Sequence, residues 1–190
     1  EYKLMVLKAP KKALTAYAGQ FFHLLCPSPD GAEVWMRRPM SVYNVDKSAG
    51  QIEFLYKCEG RGTKGMGTLE AGDTFNVSGP LGIGFNLNPS WKNIVVLGRG
   101  VGLATLAPLS LMAAENGIGV TAILSARKTE LVMSEDLFKG IGAATIKVVD
   151  TDGSSDVSNV EKILEGLILN GKADAFFTCG SSRLLKLMQT

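Results

Sequence analysis

The stretch from Ile94 to Ala104, IVVLGRGVGLA, joins a short apolar run to a turn in which Gly98, Gly100 and Gly102 alternate with other residues. The apolar run predicts a buried strand, and the residues after the turn predict a helix from Ala104 to Asn116. Glycines at such a junction let the backbone approach a phosphate at the N-terminus of the helix. We therefore expect a nucleotide-binding strand–turn–helix unit here.

Strands and helices alternate through the rest of the chain. Further strands are predicted at Val120–Leu124, Ile146–Val149 and Ala175–Thr178, and further helices at Ser134–Lys139, at Val157–Asn170 and from Ser182 onward. This alternation implies right-handed crossovers and a doubly wound α/β domain with a parallel sheet. Ligands of such sheets bind beyond the carboxyl ends of the strands. Those ends are predicted at Gly98, Ser125, Asp150 and Cys179.

The first half of the chain has a different pattern, with short β-rich apolar runs between clusters of Gly, Pro and Asp. The predicted strands are Leu4–Leu7, Phe21–Cys26, Val42–Val45, Ile52–Tyr56 and Thr74–Val77. This pattern is typical of a small antiparallel Greek-key β-barrel. Residues 79–84 and 86–89 contain few helix or strand formers, so we expect them to connect two domains, residues 1–88 and 89–190.

The glycine turn differs from the most familiar dinucleotide motif. Its spacing is not GxGxxG, because the third glycine is Gly102 and Leu103 follows it. The second strand ends in Ser125-Ala126-Arg127-Lys128, without the acidic residue that would hold an NAD ribose. Arg127 could bind a nucleotide phosphate or be a solvated loop charge. Cys179-Gly180 could let a flat ring lie against the backbone, or Cys179 could be a structural thiol. The glycine turn at 98–102 could also be a tight connection that binds no ligand.

Two stretches of the first half also suggest a nucleotide site. Arg37-Arg38-Pro39-Met40-Ser41 begins with two cations, so an arginine could grip a diphosphate while Ser41 hydrogen-bonds the edge of a ring system. Gly60–Gly65 offers backbone amides to a phosphate, ahead of a helix-like stretch that ends at Leu69. Taken alone, each stretch could be an exposed strand charge or a flexible turn. Their occurrence ahead of the α/β half favours a site.

Composition argues against several classes of protein. Twenty basic and eighteen acidic side chains leave a net charge of +2, too little to favour a nucleic-acid partner. The three cysteines form no CxxC and suggest neither a disulfide framework nor a metal site. No apolar run has the length of a membrane span. We therefore expect a cytoplasmic protein.

These motifs, in this order, resemble the ferredoxin-reductase superfamily, whose members join an FAD-binding barrel to a pyridine-nucleotide domain. Within it the chain looks most like the electron-transfer subunit of dihydroorotate dehydrogenase and related hydrogenase and transhydrogenase reductase subunits. The resemblance covers nearly the whole chain. It is carried by Gly19-Gln20-Phe21, Arg38–Ser41, Gly62-Thr63, Gly72-Asp73, Gly79–Gly82, Gly98–Ala104 and Cys179-Gly180.

The resemblance implies two ligands, FAD and NAD(P)H. The residues it implies for FAD are Arg38, Pro39, Met40 and Ser41, with Leu55, Tyr56 and Lys57 beside the cofactor and Gly62 and Thr63 at its pyrophosphate. Those it implies for the nicotinamide nucleotide are Gly98, Gly100, Val101, Gly102, Cys179 and Gly180. Hydride would pass from nicotinamide to flavin without a catalytic acid or base. The implied function is that of an electron-transfer subunit that serves a partner redox protein.

The chain lacks the C-terminal cysteine cluster that binds a two-iron, two-sulfur centre in the dihydroorotate dehydrogenase subunits. Four cysteine ligands cannot be assembled from Cys26, Cys58 and Cys179. Either a C-terminal segment beyond Thr190 supplies an iron–sulfur cluster, or electrons leave by another route. Two other functions stay open, a self-sufficient ferredoxin or flavodoxin reductase and a non-catalytic nucleotide-binding module.

Overall fold

The computed structural model describes residues 1–31 and 34–189. Contacts within the chain divide it into two compact units, Glu1–Gly84 and Phe85–Thr190. The predicted boundary, after residue 88, lies a few residues further along the chain. In the described ranges, none of the helices combines the length and the apolar composition that a bilayer crossing requires.

The N-terminal unit consists mainly of antiparallel strands. Its elements are β1 (Tyr2–Lys8), β2 (Phe21–Leu24), β3 (Arg38–Ser41), β4 (Asn44–Asp46), β5 (Gln51–Lys57), α1 (Arg61–Met66) and β6 (Val77–Leu81). The strands form two three-stranded sheets, with the orders β1-β5-β4 and β3-β2-β6. All the pairings within them are antiparallel.

One core lies between these two sheets. Side chains alternate between the two faces of a strand, and in β5 the residues Ile52, Phe54 and Tyr56 are buried while those between them are partly exposed. The Phe22 ring of β2 packs edge-on against the Phe54 ring, with centroids 5.7 Å apart. Residues from both sheets thus form a single hydrophobic cluster.

The chain passes from one sheet to the other at a corner between β3 and β4. The Val42 amide donates to the Gln20 carbonyl next to β2, and the Tyr43 amide donates to the Glu53 carbonyl of β5. The single strand predicted at Val42–Val45 is therefore wrong, because its first two residues turn between the sheets.

The segment predicted to connect the domains begins inside a strand. β6 runs through Gly79 and Pro80 and pairs with β2, whereas the prediction ended that strand at Val77. A Cβ atom at Gly79 would be 2.5 Å from a carbon of the Phe22 ring. The close approach of this ring requires a residue without a side chain. Gly79, a poor strand former, therefore lies inside the strand. For this reason the composition of the segment did not predict a strand here.

The glycine-rich stretch at residues 60–65 is itself largely helical. The prediction placed the helix-like segment after it, ending at Leu69, but α1 begins at Arg61 and ends at Met66. Gly65 is buried in this helix, and a Cβ atom there would overlap the carbonyl oxygen of Pro27. Close packing on the preceding loop outweighs the low helix propensity of glycine.

The C-terminal unit is a parallel sheet flanked by helices. Its strands are β7 (Asn93–Arg99), β8 (Gly119–Ala126), β9 (Ala144–Val149) and β10 (Ala175–Cys179), and its helices are α2 (Leu103–Glu115), α3 (Glu135–Gly140), α4 (Val157–Leu169) and α5 (Ser182–Leu187). The order is β10-β7-β8-β9, with every pair parallel. Together with the antiparallel N-terminal unit, this sheet confirms the predicted fold class.

Helices cover both faces of this sheet. Val95 and Leu97 of β7 share a buried cluster with Val160 of α4 and Leu184 of α5. The next residue, Gly98, faces α2 instead, because a Cβ atom there would overlap a Leu103 methyl group. The strand order reverses at β7, with β8 on one side and β10 on the other. Ligands of such sheets bind at this reversal, beyond the carboxyl ends of the strands.

Candidate functional site

Two glycine turns meet where β7 and β10 end. A Cβ atom at Gly102 would overlap the backbone carbonyl of Cys179, and one at Gly180 would overlap that of Arg99. Gly180 also has a φ of +98°, in the region that favours glycine. The structure thus brings together the predicted residues Gly100, Val101, Gly102, Cys179 and Gly180.

The first of these turns leads into α2 without a side-chain cap. Residues 100–102 form one 3₁₀ turn, and Gly102, at the N-cap position, has no side chain that could bond the first amides of the helix. The first turn of α2 contains no acidic residue. The Leu103 amide donates to the carbonyls of Gly100 and Val101, and no side chain covers the turn. The positive end of a helix dipole without a covering side chain favours a phosphate group. The residues present therefore fit the pyrophosphate of a dinucleotide.

Gly98 has a packing role in the structure. It is buried within β7, and the absence of a side chain leaves room for Leu103 and Leu106 of α2. The glycine thus determines how closely α2 approaches the sheet. Its predicted contact with a nucleotide stays a prediction.

Arg127 directly follows β8, which is the neighbour of β7 in the sheet. Its side chain and that of Lys128 are exposed. Exposure is required of a cation that binds a phosphate, but it is equally typical of a solvated loop charge. The predicted role of Arg127 therefore stays a prediction.

An ion-pair network that the sequence analysis did not identify crosses the strand ends. Arg99 Nη2 donates to Asp150 Oδ2 at 2.6 Å, and Nη1 donates to Asp150 Oδ1 at 3.1 Å and to Ser125 Oγ at 2.9 Å. The Ser155 hydroxyl also donates to Asp150. Hydrogen bonds from Arg99 and then from Ser155 hold the pKa of Asp150 below its ordinary value. The sequence placed Asp150 at a strand end, but only the sheet order shows that β9 lies two places from β7, which ends with Arg99.

In the N-terminal unit, Arg38 lies beside α1. A Cβ atom at Gly62 would be 3.1 Å from Arg38 Nε and 3.2 Å from Cys26 Sγ. Arg38 Nη1 donates to the carbonyls of Trp35 and Met36 at 2.9 and 2.8 Å. The loop before β3 thus fixes the guanidinium next to Gly62. A fixed cation beside uncapped helical amides fits a diphosphate.

The Cys26 thiol beside Arg38 is a neutral packing group. Burial raises its pKa, and the charge of Arg38 opposes that shift only in part. The thiol donates to the Leu24 carbonyl at 3.7 Å and belongs to the hydrophobic core. A protonated Cys26 adds no negative charge beside Arg38.

The residues of β3 face two sides. Pro39 is exposed and Ser41 is half-buried, and side chains two residues apart lie on the same side of a strand. Met40 lies between them and packs against the core. Pro39 is therefore open to solvent, and Met40 contacts the core while staying partly exposed. The predicted FAD contacts of Pro39, Met40 and Ser41 stay predictions.

The residues of β5 divide in the same way. Leu55 and Lys57 lie on the outer face, and Lys57 pairs with Glu59 at 3.0 Å. Tyr56 is 3% exposed, and desolvation by burial raises its pKa to about 12, with Cys58 contributing. Since the Tyr56 ring lies in the core, a contact of Tyr56 with a ligand would have to be made by its backbone. The predicted place of Leu55, Tyr56 and Lys57 beside the cofactor stays a prediction.

The hydroxyl of Thr63 is already engaged within α1. Oγ1 accepts from the Glu59 amide and donates to the Gly60 carbonyl, both at 3.0 Å. Because its proton is used, a phosphate here would meet the backbone amide of Thr63. The helix begins without a side-chain cap and without an acidic residue in its first turn.

Comparison with known protein families matches residues 2–85 to the oxidoreductase FAD-binding domain. This range coincides closely with the N-terminal unit. The N-terminal unit is thus an FAD-binding domain of the oxidoreductase type.

The chain as a whole is similar to curated electron transfer subunits. The dihydroorotate dehydrogenase B (NAD(+)) electron transfer subunit of Streptococcus pneumoniae (strain ATCC BAA-255 / R6) is 32% identical over 173 residues, covering 89% of this chain and 64% of that protein. Its counterpart in Streptococcus mutans serotype c is 32% identical over 186 residues, covering 96% and 69%. The chain therefore spans about two thirds of the length of these relatives.

Among solved structures, an NADH-dependent reduced ferredoxin–NADP oxidoreductase is 28% identical, with a TM-score of 0.68 over 81% of this chain and 56% of that one. Its similarity agrees with the antiparallel N-terminal unit and the parallel sheet described above. The chain belongs to the family of the electron transfer subunits of dihydroorotate dehydrogenase B.

Proposed function

We propose that this chain is the FAD-containing subunit of an NAD(P)H oxidoreductase and passes electrons between the nicotinamide nucleotide and a partner redox protein. The observation that carries the proposal is the contact between the turns at 100–102 and 179–180, at the point where the order of the parallel strands reverses. A dinucleotide site in a chain that also has an FAD-binding domain supports electron exchange between two nucleotides. The NAD(+) in the names of the relatives points to the same nucleotide class.

Residues at β3 and α1 would hold FAD. Arg38 would donate to the diphosphate, because a guanidinium forms charge-assisted hydrogen bonds with phosphate oxygens. The amides of Gly62 and Thr63 would meet the same diphosphate at the start of α1. Pro39, Met40 and Ser41 would border the ring system, and Ser41 would hydrogen-bond its edge. When bound, FAD supplies the redox chemistry, since a flavin accepts a hydride and can return electrons singly.

The two turns of the C-terminal unit would hold the nicotinamide nucleotide. The amides of residues 100–102 would bind its pyrophosphate, and Val101, which is 37% exposed, would add an apolar contact. Arg127 would pair with an outer phosphate. Cys179 and Gly180 would let the nicotinamide ring lie against the backbone. The chain then contributes orientation and exclusion of water, and no side chain needs to transfer a proton.

The electrons would pass to a partner redox subunit, because the relatives are electron transfer subunits. No group of three or more His, Cys, Asp or Glu side chains in the described ranges is placed to hold a metal ion. An iron–sulfur centre would therefore need ligands from outside these ranges. The three cysteines are free thiols, which supports a reducing, cytoplasmic location.

A ferredoxin-linked reductase is a second candidate. It is favoured by the 28% identity to the NADH-dependent reduced ferredoxin–NADP oxidoreductase. The two functions differ in the need for a dedicated partner. Reduction of added ferredoxin by NAD(P)H with the purified chain alone would favour the second, whereas activity only with a co-purified subunit would favour the first.

Flavin binding by the purified protein tests the proposal. We expect the protein to be yellow or to take up added FAD, and to bind FMN much more weakly, because FMN lacks the diphosphate that Arg38 and α1 would hold. The measurement is flavin absorbance and calorimetric titration with each flavin. A folded protein that takes up no FAD would end the proposal.

A further inference from the structure

Arg99 is the last residue of β7 and directly precedes the turn at 100–102. Its Nη1 donates to Ser125 Oγ at 2.9 Å, to the Ala126 carbonyl at 3.3 Å and to Asp150 Oδ1 at 3.1 Å. Its Nη2 donates to Asp150 Oδ2 at 2.6 Å. A single guanidinium thus connects the carboxyl ends of β7, β8 and β9.

Asp150 is itself held from a second direction. The Ser155 hydroxyl donates to it, and the Arg183 guanidinium of α5 lies 3.8 Å from it and also donates to the Ser155 carbonyl at 3.1 Å. The Arg99 side chain is 19% exposed. A two-point ion pair with one partner this buried holds its groups in fixed positions, unlike a single exposed contact.

The backbone of Arg99 contributes to the contact between the two turns. A Cβ atom at Gly180 would overlap the Arg99 carbonyl, and one at Gly102 would overlap the Cys179 carbonyl. Any shift of Arg99 would therefore change the spacing between the turns. The ion pair with Asp150 thus holds Arg99, whose carbonyl borders the turn at 179–180.

We propose that Arg99 is a positioning residue for the nucleotide site and that Asp150 is its anchor. This inference rests on the proposed function. The pair holds the turn at 100–102 against Cys179-Gly180, where the pyrophosphate would bind. Both terminal nitrogens of Arg99 donate to protein acceptors, so Arg99 acts through the backbone that it fixes. Groups that orient the residues of a binding site affect affinity without touching the ligand.

Replacing Arg99 with lysine tests whether the two-point geometry of the ion pair matters when the positive charge is kept. A lysine at position 99 keeps the positive charge, but its ammonium group cannot make the planar two-point contact with Asp150. We therefore choose Arg99→Lys, Asp150→Asn and the double variant. The control is Glu135→Gln, which removes an ion pair with Lys139 of 2.8 Å in the same unit. Ser155→Ala is a milder change that keeps both charges.

Calorimetric titration of the FAD-loaded protein with NAD⁺ and with ADP-ribose tests the inference. ADP-ribose has the pyrophosphate and lacks the nicotinamide ring. We expect each single variant at the pair to bind both ligands about tenfold more weakly, and the double variant to be no weaker than either single variant. Ser155→Ala should lose affinity in the same direction by about threefold, and Glu135→Gln should stay within about twofold of the original protein.

Several results would overturn the inference. One is unchanged affinity in folded Arg99→Lys and Asp150→Asn, even if their melting temperatures fall, because the pair would then stabilise the fold alone. A second is a double variant whose loss of affinity equals the sum of the losses in the single variants. A third is weaker binding of NAD⁺ with unchanged binding of ADP-ribose. If the original protein binds neither ligand, the proposed function itself fails, and that outcome is distinct from a failure of the variants to differ.

Discussion

Arg37 and Arg38 are neighbours in the sequence with different surroundings. Arg37 Nη2 donates to Asn76 Oδ1 at 2.8 Å, so it ties the start of β3 to the residue before β6. Arg38 lies beside Gly62 of α1, and two loop carbonyls fix its guanidinium. We therefore expect Arg38, and not Arg37, to meet the diphosphate of FAD.

Replacing Arg38 with alanine should weaken FAD binding. The loss should be about 1.5–3 kcal/mol, because a hydrogen bond from a charged group to phosphate would be removed. Titration of the flavin-free protein with FAD measures it. Lys11→Ala, at an exposed position in the same unit, serves as the control. Unchanged FAD affinity in a folded Arg38→Ala variant would remove this residue from the site.

At the scale of elements, the sequence predicted the parallel unit better than the antiparallel one. The strands of the C-terminal sheet are continuous apolar runs between turns, so the hydrophobic pattern and the length of each run were sufficient to locate them. In the N-terminal unit, β6 contains Gly79 and α1 contains Gly62 and Gly65, where tertiary packing outweighs propensity. Propensity could not locate these elements, because each glycine is required by the close packing of a residue that is distant in the sequence. The Arg99–Asp150 bridge escaped prediction for the same reason.

Glycines in two helices should respond oppositely to alanine. At Gly65 of α1 an added Cβ atom would overlap the Pro27 carbonyl, whereas at Gly166 of α4 it would meet nothing within 4 Å. We expect Gly65→Ala to lower the free energy of unfolding by about 1–3 kcal/mol through overpacking. Gly166→Ala should raise it by about 0.4–1 kcal/mol, because alanine loses less entropy in a helix. Urea denaturation measures both, and a stabilising Gly65→Ala would show that α1 does not pack on this loop.

At the scale of the whole molecule, acid should destabilise the protein. Among the residues that the structure describes, hydrogen bonds and ion pairs lower the pKa values of the carboxyl groups of Asp46, Glu135, Asp150, Asp152 and Asp174. A carboxyl group with a lower pKa in the folded chain than in the unfolded chain adds stability above its unfolded pKa. That stability is lost as the pH falls through the folded value. Four of these five residues lie in the C-terminal unit, so we expect that unit to be the more acid-sensitive.

Asp174→Asn tests this acid dependence. Asp174 Oδ2 accepts from the amides of Lys92 and Asn93 at 2.7 and 2.8 Å, and these bonds are the main cause of its lowered pKa. The variant should be less stable than the original protein near neutral pH, and the difference should shrink as the pH falls below the ordinary Asp value of 3.8. Urea denaturation at a series of pH values measures it. A difference that stays constant into acid would argue against these bonds.

Anaerobic addition of NADH or NADPH to the FAD-loaded protein tests the central claim most directly. If the C-terminal unit binds a nicotinamide nucleotide and the chain transfers its hydride to FAD, the visible absorption band of the flavin should be lost after addition of at least one of the two nucleotides. The band should return when an oxidised electron acceptor is supplied. A folded, FAD-loaded protein whose flavin spectrum neither nucleotide changes would contradict the account and favour a non-catalytic nucleotide-binding module.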